Sequence, residues 1–342
     1  MKKTTKAIAL LLCLASIFSL AACTGKPSVA PNPDADLTTD APAIVDDNAS
    51  AETYIVGISQ LVQHAALDAA TLGFRDALVE KLGGRVTFNE QNAQGDSATC
   101  AAIANSLVSS NVDLILANAT PALQAAAAAT ADIPILGTSI TEYGVALDLK
   151  GFDGVVGGNI SGTSDLAPLD EQAAMIREWF PDAKNVGLVY CSAEANSLYQ
   201  VETVRTALEG LGYTATLYAF ADSNDMAAIV TTAVASSDVI YVPTDNTVAA
   251  NVGILDNICR PAKVPVIASE EGICAGSGVA TLSIDYYDLG YATGLMAAKI
   301  LTGEADVSAM PIEYAPQVTK KYNAEICAEL GLTPPEGYLP IG

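Results

Sequence analysis

The chain is poor in the residues on which much catalytic and metal-dependent chemistry rests. It has a single histidine, His64, which excludes a histidine-based metal cluster. It has seven cysteines, yet no pair at C-x-x-C spacing. Cys13 sits in an apolar N-terminal run and Cys23 just after it. That leaves Cys100, Cys191, Cys259, Cys274 and Cys327, an odd set that reads as small buried hydrophobes, not as a disulfide framework or a metal site. Cys259 and Cys274 fall on either side of one strand candidate. No G-x-S-x-G, Walker A or strand-linked G-x-G-x-x-G occurs, so acyl-transfer, nucleotide-hydrolysis and dinucleotide chemistry lack their usual signatures. Basic residues are scarce: 16 Lys and Arg face 39 Asp and Glu, a net charge of −23. Such a surface repels phosphate backbones and anionic lipid, which argues against nucleic acid and against polybasic membrane docking. The one tryptophan, Trp179, closes a helical stretch and reads as a core anchor.

What is present begins with an address. Lys2, Lys3 and Lys6 precede a short apolar core over 7–18, and Leu20-Ala21-Ala22-Cys23 places small residues before a cysteine. This is a secretory signal, and its ending resembles the lipobox of bacterial lipoproteins, which implies cleavage before Cys23 and diacylglycerol on its thiol. Residues 24–52 are rich in Pro, Asp, Ala and Thr without apolar periodicity and read as a disordered tether. A flexible coil of that length has a root-mean-square reach of roughly 30 Å.

From residue 53 strands and helices alternate. Strand candidates lie at 54–58, 86–90, 113–117, 134–137 and 155–159, then at 185–190, 213–220, 238–242, 264–268 and 279–284. Between them fall a helix through Leu67, Phe74, Leu78 and Leu82 that stops at Gly83-Gly84, and helices at 97–110, 121–131, 168–180, 195–210, 224–236 and 246–259. Helices at 286–302 and 321–330 complete the chain. This rhythm predicts an α/β protein of two doubly wound parallel-sheet lobes with five strands each; 342 residues exceed what one core usually holds.

In open parallel sheets, ligands bind at the carboxyl ends of the strands. The residues following the strands here are Gln60 and then His64; Thr120; Thr138 and Ser139; Ser192, Glu194, Asn196 and Ser197; Thr244, Asp245 and Asn246; Glu270; and Asp285 with Tyr286. Each group has a plain role as a helix cap. Together they are expected to face one another across a cleft between the lobes, as a ligand site. Helix starts near Thr120 and Asn196 offer N–H groups to a carboxylate, and Asp245, Glu194, Glu270 and Asp285 offer charge to an ammonium group. That combination suits a zwitterion, although acids also bind sugars and polyamines. His64 reads as a hydrogen-bonding residue at the cleft rim or helix start, and nothing pairs Glu194 with Asp245 as acid and base.

Six ordered motifs carry a resemblance: 64–68 (HAALD), 91–96 (QNAQGD), 119–122 (ATPA), 192–197 (SAEANS), 241–247 (YVPTDNT) and 284–290 (IDYYDLG). They resemble a branch of ABC-importer substrate-binding lipoproteins that includes tryptophan- and tyrosine-binding members, and the likeness runs from about 54 to 332. It implies a type I periplasmic-binding fold with three crossovers near 160–165, 285–288 and 311–316, and an ABC permease and its ATPase as partners. The expected organisation is a signal at 1–22, lipidated Cys23 and tether to 52, a first lobe of 53–163 with 286–311, and a second of 164–285 with 312–342. The expected function is capture of a small solute outside the cytoplasm, an aromatic amino acid favoured, with no enzymatic activity and no cofactor. A sensor or adhesin on the same fold, a nucleoside receptor and an α/β hydrolase or isomerase are the alternatives. Two positions depart from the family pattern. Thr141-Glu142-Tyr143 stands where Thr-Asp-Pro is common, leaving Tyr143 to stack on a ligand or to face solvent, and Ala65 stands where proline is common.

Overall fold

The computed structural model describes residues 52–315 and 317–341. The signal segment, Cys23 and the tether through residue 51 lie outside the described residues.

The first sheet contains β1 (Tyr54–Gln60), β2 (Val86–Asn92), β3 (Leu114–Asn118), β4 (Ile135–Ile140) and β5 (Ile160–Ser164). The second contains β6 (Asn185–Cys191), β7 (Thr214–Phe220), β8 (Val239–Val242), β9 (Val266–Ala268) and β10 (Ala280–Ser283). Short strands follow at β11 (Glu313–Tyr314), β12 (Thr319–Tyr322) and β13 (Leu339–Pro340). Strand order is β11-β5-β4-β3-β1-β2 in one sheet and β13-β12-β10-β9-β8-β6-β7 in the other. The helices of the first half are α1 (Ala65–Leu82), α2 (Ser97–Ser109), α3 (Thr120–Ala129), α4 (Tyr143–Ala146), α5 (Leu169–Trp179) and α6 (Ala195–Gly210). Those of the second are α7 (Ser223–Val234), α8 (Asn246–Ala250), α9 (Val252–Ala262), α10 (Glu271–Ser277), α11 (Tyr286–Leu301) and α12 (Ala324–Leu330). No helix among the described residues is long and apolar enough to cross a membrane.

Central strands such as β3 and β8 are buried on both faces and read as near-continuous apolar runs, as parallel sheets require. The edge strands β2 and β7 are partly exposed. In the first lobe Val56, Ile58 and Leu116 pack toward Phe74 and Met296, while Ile115 and Ala117 pack toward Leu107 and Leu123. In the second, Leu188 and Tyr241 meet Ile176 and Val204 on one side, and Val189 and Ile240 meet Met226 and Leu255 on the other. Helix α11 follows the second lobe's β10 yet packs on α1 of the first. The approach is so close that a Cβ on Gly290 would run into the Ala70 carbonyl.

Four expectations need correcting. The strand expected at 155–159 forms at Ile160–Ser164, because Gly157 and Gly158 adopt φ of 80° and 61°, outside the extended region. The sheets are not wholly parallel: β12 runs antiparallel to β10 at the second sheet's edge. The first lobe keeps the chain three residues longer than expected, through Tyr314, since β11 pairs with Thr163 and Ser164 and Ile312 joins the first core. The helix expected at 246–259 is two helices that break at Asn251, whose side chain donates back to the Thr247 carbonyl.

The five cysteines of the described residues are free and buried. Burial pushes the thiols of Cys100, Cys191 and Cys327 up to about 11 and that of Cys259 to about 12. It raises Cys274 as well.

Candidate functional site between the lobes

The carboxyl ends of the central strands of both sheets meet across a cleft, and three hydrogen bonds cross between groups of the two lobes or their crossovers. His64 Nε2 lies 3.1 Å from Asn246 Oδ1. Gln200 Nε2 on α6 donates to Thr141 Oγ1 beyond β4 at 3.3 Å. Tyr286 Oη, on the first turn of α11, donates to Asp165 Oδ2, directly after β5, at 3.0 Å. A cavity of about 160 Å³ lies between Leu61, Val62 and Pro121 of the first lobe and Glu194, Asn246 and Thr247 of the second.

Most of the acids expected to hold a cation are engaged within their own lobe. Glu194 accepts from the Asn246 and Thr247 backbone N–H groups at 3.1 and 2.9 Å. It also accepts from Asn246 Nδ2 at 2.7 Å and Thr247 Oγ1 at 2.8 Å. Asp245 takes the Cys191 N–H on Oδ2 at 2.7 Å and the Val248 N–H on Oδ1 at 2.9 Å, which ties the end of β6 to the start of α8. Burial and the charge of Glu194 push its carboxyl up. Glu270 caps α10 through the Gly272 and Ile273 N–H groups; burial raises its carboxyl, with His64 opposing. Asp285 is exposed and caps α11 through the Asp288 N–H.

Asp165 differs from these. It is 4% exposed, its Oδ1 has no partner, and burial pushes its carboxyl up to about 6 against the Thr141 and Tyr286 hydroxyls. Nine buried side-chain polar atoms among the described residues lack a partner, and five sit at these strand ends. They are Ser59 Oγ, Asn118 Oδ1, Ser139 Oγ, Asp165 Oδ1 and Asn196 Oδ1. Buried polar groups are rarely left unpaired, so this concentration marks where a polar ligand would be received. Helix α3 adds N–H groups: its first residue follows Ala119, which has φ 86° and no side chain able to cap.

The remaining expected residues divide. Gln60 turns under α1, donating to Val62 O and Asp68 Oδ1 and accepting from Thr71 Oγ1, and so is absorbed inside the first lobe. Thr138 lies within β4, with its hydroxyl 3.2 Å from Thr163 Oγ1. Ser192 is exposed and bonds the Phe220 carbonyl at the end of β7. Thr120, Ser139, Asn196, Ser197, Thr244, Asn246 and Tyr286 lie at or beside the cleft; Thr244 Oγ1 meets Ser269 Oγ at 2.9 Å. Tyr143 neither stacks in the cleft nor faces solvent, since it is 1% exposed and donates to the Thr163 carbonyl at 3.1 Å. Sequence reasoning missed Asp165 and Gln200, while Thr141 and Ser269 fall in strand-end groups that it did mark. Asp165 is the residue immediately after β5, and the strand-end rule would have found it had β5 been placed at 160–164. Among the described residues no group of three or more His, Cys, Asp or Glu is disposed to hold a metal.

Comparison with known proteins agrees with this geometry. The family described as ABC transporter substrate binding protein matches residues 55–340. The chain is 38% identical over 253 residues to a tyrosine-binding protein of Clostridioides difficile, covering 73% of each chain. A structure of an ABC domain from Streptococcus pneumoniae in complex with L-Trp is 32% identical with a TM-score of 0.81, covering 85% of this chain and 100% of that one. The ligand-free, open structure of a substrate-binding protein with adhesive properties from Clostridium difficile is 37% identical with a TM-score of 0.65, covering 84% and 99%. The chain belongs to the ABC transporter substrate-binding protein family and has that family's fold of two α/β lobes around a ligand cleft.

Proposed function

We propose that this substrate-binding protein captures an aromatic amino acid by closing its lobes and delivers it to an ABC permease driven by a cytoplasmic ATPase. The unpartnered, buried Asp165 Oδ1 is the observation that supports this most directly. In a closed cleft that oxygen is placed to accept from a ligand ammonium group, with Thr141 and Tyr286 holding the carboxylate. The N–H groups opening α3 and the Thr120 hydroxyl would receive the ligand carboxylate. Ser139 and Asn196 would complete the polar shell, and Leu61, Val62 and Pro121 would offer apolar surface to a ring. The ligands named for the tyrosine-binding relative and the L-Trp complex support the aromatic class. Lobe closure is supported by the better superposition on the L-Trp complex than on the open structure, although identity runs the other way.

Glu194, Asp245 and Glu270 then serve to fix the strand-to-helix turns, which leaves no pair of carboxylates free for acid–base work and fits a receptor, not an enzyme. We place the protein outside the cytoplasm, held to the membrane by lipid on Cys23. The adhesive relative favours a second reading, surface attachment by the same fold. A thermal-shift panel of the amino acids, with a sugar and a nucleoside as controls, tests the ligand class. Burying ~150–250 Å² of aromatic surface contributes roughly 4–6 kcal/mol before closure costs, enough to raise the melting midpoint by several degrees. Stabilisation by a sugar or nucleoside, and by no aromatic amino acid, would refute the aromatic assignment.

A further inference from the structure

We infer that Tyr143 is a positioning residue for the ligand cleft: its ring and hydroxyl hold a bulge in β4 that aims Ser139 and Asp165. The inference rests on the reading of the cleft given above. The β4–β5 ladder pairs Gly137 with Gly162 and then Ile140 with Ser164, so three steps on β4 match two on β5. The extra residue is accommodated at Ser139, which takes φ of 56°. A bulge of this kind re-aims side chains and interrupts pairing.

Tyr143 is built into this slip. Its hydroxyl donates to the carbonyl of Thr163, the residue between the two paired positions on β5. The space it occupies exists because two glycines face it: a Cβ on Gly137 would stand 2.5 Å from Tyr143 Oη, and one on Gly162 would collide with the same atom. Gly162 has φ of 143°, a conformation that other residues rarely adopt. Two glycines and a buried tyrosine thus form one fitted unit.

The cleft groups follow from the bulge. The Asp165 N–H donates to the Ile140 carbonyl at 3.1 Å, and Ser164 Oγ donates to the Thr141 carbonyl at 2.8 Å. The backbone just past the bulge therefore sets where Asp165 begins and where Thr141 lies. Ser139 Oγ, on the bulge itself, is buried and unpartnered. If the Tyr143 hydroxyl is removed, the Thr163 carbonyl loses a donor and the bulge loses its wedge.

The test compares Tyr143→Phe with Phe152→Leu. The second variant loosens the aromatic neighbour of Tyr143, whose ring centroid lies 6.5 Å away, without touching the bulge. Calorimetry with L-tyrosine and L-tryptophan should show the Kd of Tyr143→Phe raised at least fivefold, and that of Phe152→Leu within twofold of the parent. Amide exchange of Asp165 in the ligand-free protein should speed up at least tenfold in Tyr143→Phe only. Unchanged Asp165 exchange in Tyr143→Phe overturns the inference, as does unchanged affinity for an amino acid that the parent binds. Equal effects from both variants overturn it too, because they would mean general loosening. A parent that binds neither amino acid refutes the ligand class instead, and the exchange measurement still decides the role of Tyr143.

Discussion

His64 in the first lobe and Asn246 in the second meet at 3.1 Å, and the same Asn246 side chain donates to Glu194 at 2.7 Å. The only histidine of the chain therefore touches the second lobe through a residue that is itself fixed by a buried carboxylate. A hydrogen bond of this kind contributes about 0.5–1.5 kcal/mol. His64→Ala should weaken ligand binding by roughly two- to twelvefold and leave the melting midpoint of the ligand-free protein nearly unchanged. Calorimetry showing no change in affinity would remove His64 from the closure mechanism.

Asp165 and Asp245 should separate cleanly by substitution. Asp165→Asn keeps the shape and removes the charge offered to an ammonium group, so affinity should fall by about ten- to more than a hundredfold. Asp245→Asn puts an amide N–H₂ against backbone N–H donors that now meet carboxylate oxygens. Stability should drop by about 1–3 kcal/mol, with binding reduced only through looser positioning of α8. Denaturant titration beside calorimetry on both variants checks this, and a reversed pattern would return the ammonium role to Asp245.

The pH dependence follows from the raised carboxyl of Asp165, about 6 when folded against an ordinary value of 3.8. A folded-state value above the unfolded one means that the folded protein holds the proton more tightly. The stability of the ligand-free protein should therefore fall as pH rises from about 4 to about 6, by an amount on the order of 3 kcal/mol. Asp245 and Glu270 are shifted the same way and add to the trend. Ligand binding should run oppositely, because an ammonium group favours ionised Asp165: affinity should rise between pH 5 and pH 7. Asp165→Asn should flatten the affinity profile, and a flat profile in the parent would contradict the assignment.

Lipid attachment at Cys23 has a direct assay. Cys23→Ala should abolish incorporation of labelled fatty acid and release the protein or leave an uncleaved precursor. Label still entering the variant would place the lipid elsewhere.

The fold was largely legible because alternating apolar and amphipathic stretches set element type, and residue type alone marks most strand ends. The failures are local and physical. Gly157-Gly158 looks tolerable in an apolar run, yet both residues take positive φ, which moved β5 and hid Asp165. Glu194, Asp245 and Glu270 were correctly placed at strand ends. Whether a carboxylate faces a ligand or its own helix depends on side-chain direction, which sequence position does not encode. Tyr143 follows the same lesson: its fate depends on glycines at 137 and 162, and only the bulge brings them against its ring.

The five buried thiols give each lobe its own clock. Cys100 belongs to the first lobe, and Cys191, Cys259, Cys274 and Cys327 belong to the second. With their acidities this weak, almost none is thiolate at neutral pH, so an alkylating reagent must wait for the surrounding core to open. Mass spectrometry of labelled peptides would then time the opening of each lobe separately, with no residue introduced into the protein. A ligand that clasps both lobes should slow the two clocks together.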